Sequence, residues 1–121
     1  MSPLLKEGSG WRLGWDEERP TFKALVAGQH WALELTQAEF EAMQSLAQQL
    51  SATMVSMAAD LMPDEKITLE QENQYLWMEA DGFHYAYSLR FILLTGRGGE
   101  GFWPAAVIPD LLSGLERINV F

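Results

Sequence analysis

The sequence predicts an α+β fold, antiparallel sheets each covered by a helix, in the order strands, long helix, strands, short helix. Three observations carry that prediction. Two stretches, residues 11–36 and 67–107, alternate apolar and polar residues around glycine-containing turns, the period of a half-buried strand. Between them, Phe40, Met43, Ala47, Leu50, Met54, Met57 and Leu61 recur three and four apart, the period of an amphipathic helix. A shorter stripe of the same kind, Ile108, Leu111, Leu112, Leu115 and Ile118, closes the chain. Helices of this type cover the apolar side of an antiparallel sheet.

After a loose start up to Gly10, Trp11-Arg-Leu-Gly-Trp15 sets Trp11, Leu13 and Trp15 on one side of a strand. The run Asp16-Glu-Glu-Arg-Pro20 ends it as a solvated turn. Residues 21–36 read as a hairpin closed by Gly28-Gln29, with glycine at the position where a type II′ turn needs positive φ. That loop sets Val26 opposite Trp31, Ala24 opposite Leu33, and Lys23 opposite Glu34 as an ion pair. Thr36-Gln-Ala-Glu39 is a capping box that starts the long helix, and Pro63 stops it at about Met62.

Further strands are expected over Ile67–Glu72, Gln74–Ala80, Phe83–Leu94 and Glu100–Val107. Asp81-Gly82 is the strongest turn signal, and as a type I′ loop it places Ala80 opposite Phe83 and Met78 opposite Tyr85. Leu76, Met78, Ala80, Phe83, Tyr85 and Tyr87 then face the core, while Tyr75, Trp77 and His84 face outward. Pro109, favoured in a first turn, begins the short helix.

The 121 residues are enough for one domain with one core, spanning residues 1–121. The absence of cysteine excludes disulfides, thiolate metal sites and a Cys nucleophile. Two histidines exclude a three-His metal site, and no Gly-x-Ser-x-Gly elbow or His-Glu-x-x-His is present. No cofactor or metal is therefore expected, and an enzyme is a poorer reading than a binding module. The start Met1-Ser-Pro-Leu-Leu-Lys-Glu lacks the basic and apolar runs of a secretory signal, so a cytoplasmic protein with no membrane contact is expected. Gly96-Arg-Gly-Gly-Glu-Gly101 lies between strands and lacks a P-loop ending; it reads as a hairpin connection with Arg97 a candidate anion contact.

A net charge of −9 disfavours phosphate binding, although a local basic face can coexist with an acidic remainder. Aromatic residues make up 12% of the chain, and Tyr75 and Trp77 fall off the predicted core face. Aromatics on an open sheet can stack nucleic-acid bases; they also serve as protein interfaces. Parity puts Arg12, Lys23 and Arg90 on the outward side with Asp16, Glu34 and Glu79, for a charge near zero.

Gly10-Trp-Arg-Leu-Gly-Trp15, Gly28-Gln-His-Trp-Ala-Leu-Glu-Leu-Thr36 and Gly99-Glu-Gly-Phe-Trp103 together resemble a family of small cyanobacterial proteins of uncharacterised function. The resemblance spans nearly the whole chain. It implies a fold like that of the single-stranded-DNA-binding transcriptional regulators of the Whirly type, and with it a single-stranded nucleic-acid ligand. Tyr75, Trp77 and His84 are then stacking candidates, aided by Lys23 and Arg90. The alternative is an acidic module that binds a protein partner or itself through the same aromatics.

Overall fold

The structure, a computed structural model, describes residues 3–118. The order is four strands, a long helix, four strands and a short helix. Strands β1 (Leu4–Gly8), β2 (Trp11–Trp15), β3 (Ala24–Ala27) and β4 (Ala32–Leu35) form one antiparallel sheet in sequence order. Strands β5 (Ile67–Glu72), β6 (Leu76–Phe83), β7 (Ala86–Leu93) and β8 (Glu100–Trp103) form the second in the same way. Helix α1 (Gln37–Met57) joins the sheets, and α2 (Ile108–Arg117) follows the last strand.

The first segment is not loose, because β1 pairs along its length with β2, Leu4 opposite Trp15 and Gly8 opposite Trp11. Its Leu-Leu-Lys-Glu-Gly sequence has no alternation because it is an edge strand with little burial on either face.

Both hairpins keep their predicted faces but shift their turns. Ala24 pairs with Leu35 and Val26 with Leu33, so the loop is Gln29-His30 and not Gly28-Gln29. Gly28 donates its N–H to the Trp31 carbonyl at 3.0 Å and closes that loop. It has no positive φ; it is small because a Cβ there would meet Trp31 Cε2 at 2.7 Å. Similarly, Leu76 pairs with Leu93 and Phe83 with Ala86, so β6 runs straight through Asp81-Gly82 and turns at His84-Tyr85. Gly82 does use positive φ, at 144°, but within the strand. There a side chain would meet Ala86 O at 2.6 Å and Tyr87 Cα at 2.9 Å. Both slips are by an even number of residues, so strand side chains keep their faces except at the expected Asp81-Gly82 turn. Phe83, expected in the core, ends β6 opposite Ala86 on the outer face with Lys66 5.7 Å over its ring, and Tyr85, also expected in the core, sits in the turn 62% exposed.

The capping box forms as read: Glu39 N–H donates to Thr36 Oγ1 at 3.2 Å, and Thr36 N–H donates to Glu39 Oε1 at 2.9 Å. Helix α1 ends at Met57, earlier than Pro63 would require, and passes through a 3₁₀ turn over Ala58–Asp60. The last strand likewise stops at Trp103, and Ala105–Val107 is a 3₁₀ turn leading into α2.

One core joins everything. Trp11, Leu13 and Trp15 from the first sheet and Leu76, Met78, Leu89 and Phe91 from the second share it with Phe40, Met43, Leu50 and Met54 of α1 and Leu111 and Leu115 of α2. The sheets are also locked to each other at one seam. Trp31 Nε1 donates to the Phe102 carbonyl on β8 at 3.0 Å, and Trp103 Nε1 donates back to the Ala27 carbonyl on β3 at 3.0 Å. The two indoles lie 5.1 Å apart and share Phe91 at 5.6 and 5.5 Å. Gly101 makes room for them, because a Cβ there would lie 2.6 Å from both Phe91 and Trp31.

Candidate functional site

Leu76, Met78 and Ala80 of β6, and Tyr87, Leu89, Phe91 and Leu93 of β7, point into the core shared with both helices. Alternation sends their neighbours to the opposite face of the second sheet, away from α1 and α2. Strand register lays that outer face out in rows. The first row is Glu72, Trp77, Ile92 and Glu100; the second is Glu70, Glu79, Arg90 and Phe102; the third is Thr68, Asp81 and Ser88.

Trp77, Ile92 and Phe102 are its apolar centre, and Phe102 is 48% exposed. Arg90 lies diagonally from Trp77 with its guanidinium carbon 5.5 Å from the ring centroid, a cation–π arrangement. Its other contact is a loose ion pair with Glu100 at 3.8 Å. Within these three rows Glu70, Glu72, Glu79, Asp81 and Glu100 stand against Arg90, a net charge of −4, and Lys66 lies beyond Asp81 with its ammonium 5.7 Å over the Phe83 ring. Glu70 and Glu79 sit directly opposite each other, a like-charge cross-strand pair with no ion-pair partner among the described residues. Asp81 accepts from the Thr68 hydroxyl at 2.6 Å.

Of the residues expected to form one patch, the structure brings together Trp77 and Arg90. Tyr75 has the same parity but lies beyond the end of β6, half-buried against the core. Its N–H donates to Asn73 Oδ1 at 3.0 Å and its carbonyl accepts from Leu94 at 2.8 Å. With Glu41 and Ser45 it lines a shallow cleft beside α1. His84 sits in the turn at the far end, seven residues from Trp77 or roughly 23 Å along the strand. There it meets Tyr85 edge-on at 5.1 Å, and with Tyr87, Ile108 and Pro109 it lines an apolar pocket of about 210 Å³.

Lys23 belongs to the other sheet's connection. Its ammonium donates to the carbonyls of Glu17 at 2.6 Å and Arg19 at 2.7 Å, tying down the acidic turn. The expected Lys23–Glu34 pair is absent, since the register moves Leu25 opposite Glu34, and Arg19 forms an ion pair with Glu34 instead. Arg12 also lies on the first sheet, away from Arg90. The outward surface is thus two surfaces, and the one carrying the aromatics is acidic, not neutral.

Phe102 and Ile92 are the residues that strand parity within single segments missed, along with the opposition of Glu70 to Glu79. The alternation of Phe102 with buried Gly101 and Trp103 is the signal that could have found Phe102. Arg97, the expected anion contact, is already engaged: it forms an ion pair with Glu39 and lies 4.7 Å over the Phe22 ring. The segments that carried the family resemblance are packing segments. Gly28-Gln-His-Trp31 and Gly99-Glu-Gly-Phe-Trp103 meet at the inter-sheet seam, and Trp11 donates its indole N–H to Asp110 on α2 at 3.0 Å.

Chemically, the outer face offers an aromatic plane, a guanidinium and carboxylates. Among the described residues no three His, Asp or Glu side chains converge to hold a metal ion, and no helix is long and apolar enough to cross a membrane.

A family model described as Domain of unknown function (DUF1818) matches residues 6–118. A crystal structure of a protein with unknown function from the DUF155 family from Prochlorococcus sp. NATL2A, a cyanobacterium, is similar at 32% identity. Its TM-score is 0.89, over 93% of this chain and 96% of that one. No curated protein matches the chain.

Proposed function

The chain belongs to the DUF1818 family, and from that premise we propose a non-enzymatic binding module that engages a partner protein through the outer face of its second sheet. One observation supports this reading above the others: Trp77, Ile92 and Phe102 form an apolar centre on a face that neither helix covers, rimmed by carboxylates. An apolar centre with a polar rim is the anatomy of a protein interface. A rim of net −4 selects a basic partner and repels a second copy of the same face. In this reading the chain works in the cytoplasm.

Single-stranded nucleic acid, the ligand implied when the fold of the resembling cyanobacterial family is likened to the Whirly type, is the second reading. The stacked Trp77 and Arg90 favour it, as an aromatic and a guanidinium can hold a base. The five surrounding carboxylates work against it, because phosphates are held by cations.

Selection from a random peptide display library on the intact chain, with Phe102→Glu as counter-target, tests the proposal. Enriched peptides should carry net positive charge and lose binding to the variant. Failure to recover any peptide that distinguishes the two chains overturns the reading. Salt-dependent binding of oligothymidylate that disappears in Trp77→Ala would transfer the assignment to nucleic acid.

A further inference from the structure

The outer face already holds one guanidinium, and the way it holds it points to the partner. Arg90 rests on Trp77 at 5.5 Å, yet its nearest carboxylate is only loosely placed at 3.8 Å, and its side chain remains 44% exposed. It is a cation placed against an aromatic plane without the forked carboxylate contact that fixes a guanidinium firmly. Meanwhile Glu70 and Glu79 stand opposed on neighbouring strands with no ion-pair partner among the described residues. Like charges directly across a sheet oppose folding. Arg90 stands opposite Glu79 on the other side but forms its ion pair with Glu100, so a cation brought from outside would relieve the arrangement.

Resting on the proposed protein-binding reading, we infer that this face recognises an arginine-bearing segment of its partner, and that Arg90 occupies the Trp77 plane until an incoming guanidinium displaces it. Trp77 supplies the stacking surface, Glu70 and Glu79 receive the fork, and Ile92 and Phe102 cover the arginine's methylene stem. Arginine is selected over lysine because a planar guanidinium stacks on the indole and bridges two carboxylates at once, whereas an ammonium is a strongly hydrated point charge. A metal ion does not meet the same need, since the described residues assemble no cluster of three ligating side chains here. Release of Arg90 toward Glu100 keeps that side chain paired after displacement.

Nona-arginine and nona-lysine, equal in charge, distinguish this from simple attraction to an acidic chain. Titrated against the full chain at one salt concentration, nona-arginine should bind roughly three- to tenfold more tightly. Trp77→Leu should remove that preference. Arg90→Lys, which keeps the charge but vacates the ring, should tighten nona-arginine and leave nona-lysine unchanged. Glu79→Gln should weaken nona-arginine more than the matched charge change Glu116→Gln on α2. Equal binding of the two peptides, both weakened by Glu79→Gln, overturns arginine recognition and leaves the docking face standing. If Glu79→Gln and Glu116→Gln have the same effect, the docking face falls as well. A weaker nona-arginine complex with Arg90→Lys also overturns the inference, because Arg90 would then be a partner of the ligand and not its stand-in.

Discussion

Glu39 and Arg97, 58 residues apart, form an ion pair in which the same carboxylate also closes the capping box of α1. The second carboxylate oxygen accepts from the Thr95 hydroxyl at 2.7 Å. One buried side chain, 3% exposed, therefore fastens the start of α1 to the β7–β8 connection. Removing it strands a guanidinium and leaves the Thr36 N–H of the cap and the Thr95 hydroxyl without their acceptor. Glu39→Ala should lower the unfolding free energy by about 2–3 kcal/mol in denaturant titration, with the ion-pair share reduced by solvent around Arg97. Arg97→Gln should cost about 1 kcal/mol or less by the same measurement.

The same carboxylate gives stability a pH dependence. Burial pushes the Glu39 carboxyl up, but hydrogen bonds from the Thr36 backbone, Thr95 and Arg97, with the Arg97 charge, hold it net below its ordinary value of 4.5. A group whose acidity is strengthened by folding contributes fully above its unfolded value and loses that contribution as pH falls through the folded one. Wild-type stability should therefore decline relative to Glu39→Gln as pH is lowered from about 5 past 4.5. Parallel curves for the two chains in thermal melts over that range would refute this assignment.

Gly101 is required by space, not by backbone angle. Gly101→Ala should cost about 1–3 kcal/mol, because the new methyl group meets Trp31 and Phe91 together. Combining it with Trp31→Phe should cost less than the sum of the two single changes, since the smaller ring removes one of the clashes. A double-mutant cycle by chemical denaturation measures the coupling.

The opposed Glu70 and Glu79 predict a substitution that stabilises the isolated chain. Glu70→Lys converts the like-charge pair into an opposite-charge pair and should raise stability by about 0.5–1 kcal/mol at low salt, less at high salt. It should at the same time weaken a basic peptide bound to the face. Stability unchanged at low salt would show that the two carboxylates do not repel across the strands.

Outside β1 and the turn at residues 83–85, which side of a strand is buried was legible in the sequence, because a period of two assigns faces without knowing the partner. Register was not. Asp81-Gly82 and Gly28-Gln29 carry turn chemistry, but Gly82 is there to let Tyr87 approach and Gly28 to seat Trp31. Both loops instead close on a histidine-containing pair without positive φ. The capping box at Thr36 was legible because its two bonds are local. At the candidate site, parity found Trp77 and Arg90, while Lys23 was misgrouped because parity cannot say which sheet a strand joins. Ile92 becomes a neighbour of Trp77 only in the shifted β6–β7 register, and Phe102 a neighbour of Arg90 only once β8 is aligned on β7.

The reciprocal indole bonds at the inter-sheet seam close segments 71 and 76 residues apart. Chain ends that distant meet late, since loop-closure entropy must be overcome before such pairings contribute, and folds dominated by them are slow for their size. Each four-stranded half can assemble its own hairpins from neighbours in sequence, but the aromatic trio of Trp31, Phe91 and Trp103 exists only after both halves are in place. Burial of those indoles therefore reports completion of the native state, and their fluorescence should trail the appearance of β-structure during refolding.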